Sequence, residues 1–289
     1  MEASLRIERS LETALRRATA PGCPPGLAEA MRYAVFPGGA RVRPRLCLAV
    51  AGACGGGDPK STDAAASAIE LLHCASLVHD DLPCFDDSPM RRGRPSVHSA
   101  FGERLAVLTG DALIVLAFQT LAWRIQAAPL NLAAVMSTLG ECVGAPLGIC
   151  AGQAWECEGE VNLKDYHREK TGSLFVAATV AGAQSVGAPT EAWRLVGERL
   201  GEAYQVADDL GDATGARQGF GKPVGQDGSL GRPNAVLELG VSGAVQRLKR
   251  LVASAIEAIP ACPGSAALQT LIAAESRRIL PEELSRLAA

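Results

Sequence analysis

A chain of 289 residues with no Pro-, Gly- or Ser-rich linker between two compositional regimes is expected to fold as one domain over residues 1–289. Hydrophobic residues make up 48% of it and aromatics only 4%, so its apolar material is Ala, Leu and Val, suited to closely packed helices. A net charge of -3 and a pI near 5.9 exclude any general attraction for nucleic acid or an anionic membrane. Nine cysteines, an odd count without a CxxC pair, suggest neither a disulfide framework nor a zinc site. They are expected to be reduced, mostly buried thiols of a cytoplasmic protein.

In chain order, the first nineteen residues alternate Arg and Glu with Leu and Ala at helical spacing and lack the apolar core of a signal peptide. Helical periodicity then predicts helices near residues 3–19, 26–35, 42–54, 62–81, 98–125, 130–154, 163–187, 190–214, 233–240, 242–258 and 264–287. Breaks are expected at Pro24-Pro25, Pro37-Gly38-Gly39, Gly55-Gly56-Gly57, Pro83, Gly93 to Pro95, Pro189 and the glycine-rich stretch 215–231. No segment sustains the period-two alternation of a strand. The longest apolar run, Leu105 to Phe118, is interrupted by Asp111 and is too short to span a bilayer. The fold class is therefore all-α, a single helical bundle, with Glu70 of the fourth helix as an interior charge.

Two acidic clusters each close an apolar, alanine-rich helix. The first runs Asp80-Asp81-Leu82-Pro83-Cys84-Phe85-Asp86-Asp87. His73, Leu77 and Asp80 share one stripe of the fourth helix, and Pro83 ends it. A helix C-terminus already carries partial negative charge, so added aspartates there ask for a cation. Arg91, Arg92 and Arg94 follow, and guanidinium groups after carboxylates of this kind read as a diphosphate clamp. In the second cluster, Asp208-Asp209-Leu210-Gly211-Asp212, one helix face carries Gln205, Asp209 and Asp212, and Asp208 and Asp212 are also four apart. Lys170-Thr171 lies upstream, and Lys222 with Asp227 lies on the glycine-rich stretch downstream. A single Asp-Asp pair is ordinarily a solvated helix end; two matched clusters with cationic companions suit hard cations completed by water and phosphate oxygens.

These residues resemble the trans-isoprenyl diphosphate synthases. Gly38-Gly39-Ala40-Arg41-Val42-Arg43-Pro44 is similar to that family's GGKRxRP, Asp80 to Arg92 to its first aspartate-rich motif with the following Arg-Arg, and Asp208 to Asp212 to its second, DDxxD. The resemblance implies a central cavity and head-to-tail prenyl transfer from an allylic diphosphate to isopentenyl diphosphate. It implies three magnesium ions held by Asp80, Asp81, Asp86, Asp208, Asp209 and Asp212. By the same likeness Arg91, Lys170 and Lys222 hold the leaving diphosphate, Arg43, His73 and Arg92 bind isopentenyl diphosphate, and Thr171 and Gln205 also belong to the substrate site. Asp80, Asp81, Asp86, Asp208, Lys170 and Lys222 are the expected catalytic set. A homodimer is implied, with no nucleic-acid partner and no transmembrane segment.

The residue five before Asp80 lies about 7.5 Å down the helix from it, where relatives that stop at fifteen carbons often carry an aromatic. Ala75, with Ser76 beside it, leaves that floor open, which implies a twenty-carbon geranylgeranyl product, with farnesyl diphosphate as the alternative; the Cys-Ala-Gly-Gln-Ala-Trp-Glu run at 150–156 and Arg-Pro-Asn-Ala-Val at 232–236 resemble bacterial members of the carotenoid pathway. Ala40 stands where the family has a diphosphate-binding lysine, which is expected to weaken isopentenyl diphosphate binding unless Arg41 or Arg45 compensates. Arg232-Pro233 replaces the family's later Lys-Thr. The lost charge leaves open a non-catalytic subunit that modulates a catalytic homologue, against which the six intact aspartates argue. A terpene cyclase is disfavoured by the form of the second motif.

Overall fold

A computed structural model describes residues 2–124, 126, 128–158, 168–214 and 234–279. Twelve α-helices are present in these residues: α1 Glu2–Ala18, α2 Pro25–Val35, α3 Val42–Ala53, α4 Pro59–Asp80, α5 Val97–Phe101, α6 Glu103–Ala122, α7 Pro129–Val143, α8 Ile149–Ala154, α9 Ser173–Gln184, α10 Glu191–Thr214, α11 Ala235–Glu257 and α12 Ser265–Ile279. A π-helical turn, Arg168–Gly172, leads into α9. The all-α expectation holds, and its departures have local causes. Asp58 caps α4, accepting from the Lys60 and Ser61 amides with Pro59 at the first helical position, so α4 begins three residues before the periodicity suggests. Gly102, at φ 85°, separates α5 from α6 within the expected 98–125 helix. Pro146, which has no amide hydrogen to continue a helix, falls between α7 and α8. At Gly240 (φ 66°, ψ 169°) α11 is kinked at the boundary expected between two helices.

The one expectation missed in kind is a hairpin. Strands β1 Met90–Arg91 and β2 Arg94–Pro95 pair antiparallel around an Arg92-Gly93 turn in which both residues have positive φ, the backbone that a two-residue hairpin needs.

The central helix α4 is buried on every side, and its most extensive partner is α6. The main core joins residues of α1, α3, α4, α6, α7, α9 and α10, with a second cluster between α10 and α11. Small residues permit the close spacing: a side chain at Gly197 would collide with α9 backbone at Val176, and one at Gly182 with the Cys47 carbonyl. Helix α6 is long and apolar enough to cross a membrane by length and composition, but 44% of its apolar window is buried inside the bundle. The cysteines divide more evenly than expected. Cys47, Cys74 and Cys142 are buried, while Cys84, Cys150 and Cys157 are exposed. Burial pushes the Cys74 thiol up to about 11, which keeps it protonated.

Candidate active site

The end of α4 delivers the first aspartate cluster. Asp81 occupies the C-cap, and the loop wraps back so that the Asp86 amide donates to the Asp80 carbonyl at 3.0 Å and the Ser88 amide to the Asp81 carbonyl at 3.2 Å. Asp86 is thus returned toward Asp80 rather than released into solvent. Asp80 and Asp86 are half-buried, but Asp81 is only 2% exposed. Its carboxylate accepts from Arg91 Nε at 3.0 and 3.1 Å and is also bridged by Arg91 Nη2. The hairpin aims Arg91 at the helix end. Arg94 on the facing strand instead donates to the carbonyls of Tyr33 and Phe36 and lies 3.8 Å over the Tyr33 ring. Arg94 therefore fastens the hairpin to α2, and the expected three-arginine clamp is reduced to Arg91 and Arg92.

The π-turn before α9 brings the two clusters together. Lys170 Nζ lies 3.1 Å from Asp80 and 2.5 Å from Glu156. Its neighbour Thr171 donates to Gln205 Oε1 at 2.9 Å, and Gln205 Nε2 donates to Asp209 at 3.0 Å. Adjacent residues thus reach the first cluster and the helix of the second. Asp209, 3% exposed, also accepts from the Ala235 amide at 2.8 Å, whereas Asp208 and Asp212 are half-buried. Glu156 is a site residue that sequence reasoning passed over; Gln153 donates to it at 2.8 Å, and the Gly-Gln-Ala-Trp-Glu run was the available signal. Lys222, Asp227 and Arg232-Pro233 lie outside the described residues.

A second cationic group lies at the start of α3. Arg43, largely buried, stacks 4.8 Å over Phe175 and 5.5 Å from Tyr204, and its Nη1 is 3.4 Å from His73 Nε2. Arg43 Nε has no hydrogen-bond partner among the described residues, a donor left over for an anion. Burial, then Arg43, Arg92, Arg91 and Arg41, holds His73 well below the ordinary histidine value, so the ring is neutral. Folding therefore depends on pH here. The unfolded chain takes up a proton below about 6.5 that folded His73 refuses, so the stabilisation is complete above that pH and falls away as pH drops below it. Chemical denaturation between pH 5 and 7.5 is expected to show a shallower pH slope in His73→Gln; an identical slope would assign the acid sensitivity elsewhere.

Neither Arg41 nor Arg45 is placed to compensate for the lysine missing at Ala40. Arg41 turns into the core, bonding Glu70 at 2.6 Å, Glu8 at 2.8 Å and the Val35 carbonyl at 2.8 Å. Arg45 pairs with Glu275 of α12 at 2.6 Å. Arg92 also lies against that loop, its guanidinium 3.2 Å from where a Gly39 side chain would begin. Ala75 is 1% exposed within the main core, and Ser76 is half-buried with its hydroxyl on the His73 carbonyl at 2.9 Å. The larger of two described cavities, about 90 Å³, lies between α3, α9, α10, α11 and α12 and is not lined by Ala75.

Among the described residues no three carboxylate, imidazole or thiol groups converge on one point. The first-cluster carboxylates rest against Lys170 and Arg91, cations of the chain itself. Half-buried oxygen donors flanked by such cations fit hydrated magnesium and an anion, not a soft metal.

A helical bundle that brings two aspartate clusters together through one Lys-Thr dipeptide, with a buried arginine alongside, is the architecture of a prenyl-transferring enzyme. The chain belongs to the polyprenyl synthetase family, whose model matches residues 24–265. It is 51% identical to the geranylgeranyl diphosphate synthase of Cereibacter sphaeroides over 97% of both chains, and 48% identical to that of Rhodobacter capsulatus over 96% of this chain and 97% of the other. Among solved structures, a farnesyl/geranylfarnesyl diphosphate synthase from Zymomonas mobilis superposes with a TM-score of 0.80 at 29% identity, covering 95% of this chain and 99% of that one. A geranyltransferase from Legionella pneumophila gives 0.80 at 28% identity, covering 96% and 95%.

Proposed function

We propose that the chain, acting as one domain, is a magnesium-dependent geranylgeranyl diphosphate synthase that condenses isopentenyl diphosphate with allylic diphosphates. The observation that carries this reading is the Lys170-Thr171 dipeptide, which reaches Asp80 on one side and Gln205, one turn before Asp209, on the other. Asp80, Asp86, Asp208 and Asp212, the half-buried aspartates, would hold three magnesium ions; Asp81, predicted as a ligand, is bonded to Arg91 and supports the set through it. Bound magnesium would neutralise the departing diphosphate. Lys170 and Arg91, with Lys222, grip the same group as charge develops on its bridging oxygen. Arg43, Arg92 and neutral His73 hold the diphosphate of the second substrate. The carbon–oxygen bond of the allylic substrate breaks, the isopentenyl double bond attacks the resulting cation, and the proton lost from the adduct passes to the released pyrophosphate, since among the described residues no side chain presents itself as the base.

Full-length identity near one half to two geranylgeranyl diphosphate synthases supports a twenty-carbon product. The small side chains at Ala75 and Ser76 support it as well. Incubation with isopentenyl diphosphate and each allylic primer, followed by chromatography of the dephosphorylated products, should yield chiefly geranylgeraniol. Mainly farnesol would instead select the fifteen-carbon alternative, and no product would select the non-catalytic subunit. Ala75→Tyr should turn the product toward farnesyl diphosphate and, because Ala75 is packed in the core, lower stability by ~1–3 kcal/mol. An unchanged product ratio would place length control elsewhere.

The homodimer reading rests on α6. Val107, Leu108 and Val115, 42%, 52% and 55% exposed, share one side of that helix with Asp111 between them, an exposed and largely apolar face. Sedimentation equilibrium should return twice the 29.9 kDa chain mass, and Val115→Glu should shift it toward the monomer.

A further inference from the structure

The two aspartates of the second Asp-Asp pair have different surroundings. Asp208 is half-buried, but Asp209 is 3% exposed, and both of its oxygens accept protein hydrogen bonds: one from Gln205 Nε2 at 3.0 Å, the other from the Ala235 amide at 2.8 Å. Ala235 opens α11, and the next amide, Val236, is capped by the Asn234 side chain at 2.8 Å. A carboxylate suits this place because it faces the positive end of a helix. It also decides which way round the Gln205 amide lies. An ionised carboxylate only accepts, so the Gln205 NH2 turns to Asp209 and its carbonyl is left for the Thr171 hydroxyl at 2.9 Å. Thr171 adjoins Lys170, which reaches Asp80. A continuous path therefore runs from the first turn of α11 through Asp209, Gln205 and Thr171 to the lysine at the first cluster.

We propose that Asp209, predicted from the sequence as a metal ligand, is a positioning residue: it ties the start of α11 to α10 and fixes the Gln205 amide that orients Thr171 and Lys170. This deepens the reading above, in which the half-buried aspartates face the metal, and it separates the members of a pair that the sequence presents as equivalent. Asparagine at 209 is nearly isosteric, but it can serve both partners only if the Gln205 amide turns round, which takes the acceptor away from the Thr171 hydroxyl.

Three measurements on the full-length protein test this. Binding of Mn2+ in the presence of inorganic pyrophosphate, followed by the electron paramagnetic resonance of free Mn2+, should give Asp209→Asn the ion count of the unmodified protein, while Asp208→Asn loses at least one ion. Amide hydrogen exchange at 235–237 should quicken by about tenfold or more in Asp209→Asn and stay unchanged in Asp208→Asn. The third measurement uses Ala235→Pro, which deletes the donor amide at a helix position that accepts proline; Asn234, at ψ 132°, already has the backbone suited to precede one. Asp209→Asn alone should lower kcat/KM by about tenfold, and by no more than about twofold when added to Ala235→Pro, because both cut the same link. Loss of an ion in Asp209→Asn, or an equal tenfold loss in both backgrounds, overturns the proposal. Should Asp209→Asn fail to fold, Ala235→Pro decides alone: an intact ion count with reduced kcat/KM supports the link, and undiminished kcat/KM refutes it. If Asp208→Asn keeps every ion, the metal reading of the cluster fails, while exchange and the mutant cycle still decide the role of Asp209.

Discussion

Gly152→Ala is expected to lower kcat/KM by about 100-fold although it adds one methyl group outside the aspartate clusters. Gly152 lies in α8, and a β-carbon there would stand 2.4 Å from the Lys170 amide nitrogen and 2.8 Å from its α-carbon. These are backbone atoms of the π-turn, so no side-chain rotation relieves the clash, and residues 169–171 must move. Lys170 would then leave its place between Asp80 and Glu156, and Thr171 would draw away from Gln205. A displacement of about 1 Å at a reacting centre can cost about 10²-fold, and losing a charged hydrogen bond is worth ~1.5–3 kcal/mol, the same order. Lys170→Ala should lose a similar amount, and Gly152→Ala added to Lys170→Ala should cost little more. Steady-state kinetics with both substrates varied, together with thermal melts, separates this from unfolding. If Gly152→Ala kept turnover above half while melting normally, the π-turn would not be what positions Lys170.

The sequence made the helices legible where their ends carry chemical punctuation and blurred them where a single residue turns the chain. Gly102 and Pro146 each divided a helix that periodicity joined, because an apolar pattern can run through a bend without changing phase. The hairpin was invisible to periodicity because two residues per strand are too few for alternation, although Arg92-Gly93 between Arg91 and Arg94 is itself a turn signal. Both aspartate clusters were legible as types and positions; how each side chain is oriented was not. Neighbours on a helix project about 100° apart, so the two members of an Asp-Asp pair have different surroundings even where, as at Arg91 Nη2, one cation reaches both. Asp81 and Asp209 are the inward members, and the partners that satisfy them, Arg91 and the Ala235 amide, are reached only through the fold. Glu156 escaped notice for the same reason, since its lysine lies on a different element.

Arg41 shows most sharply how charge type fails to reveal direction. It sits in the left-handed region at φ 51°, at the N-cap of α3, and drives its guanidinium into the core against Glu70 and Glu8. Burial alone would lower its pKa; the bonds to Glu8 and Glu70 outweigh that, and the group rests above its ordinary value. The side chains of Arg41 and Glu70 are 3% and 2% exposed, so removal of Arg41 strands the Glu70 charge where water cannot reach it, whereas removal of Glu70 leaves Arg41 with Glu8. Arg41→Ala is expected to lower stability by ~3–5 kcal/mol, a drop of roughly 5–8 °C in Tm for a chain of this size, and Glu70→Ala by less because Glu8 stays with Arg41. Because Arg41 begins the helix that carries Arg43, both variants should also raise KM for isopentenyl diphosphate more than for the allylic primer. The control is the apolar double replacement Arg41→Met with Glu70→Leu, which removes the charges together and leaves Glu8, already 38% exposed, free to hydrate. A desolvated pair gains little over well-packed apolar groups, so the double variant should melt well above Arg41→Ala. Its KM defect should remain, since Met cannot hold the Val35 carbonyl that Arg41 also grips. Single variants as stable as the parent would show that the pair is hydrated, and a double variant worse than both would show that its charges are worth more than the volume they occupy.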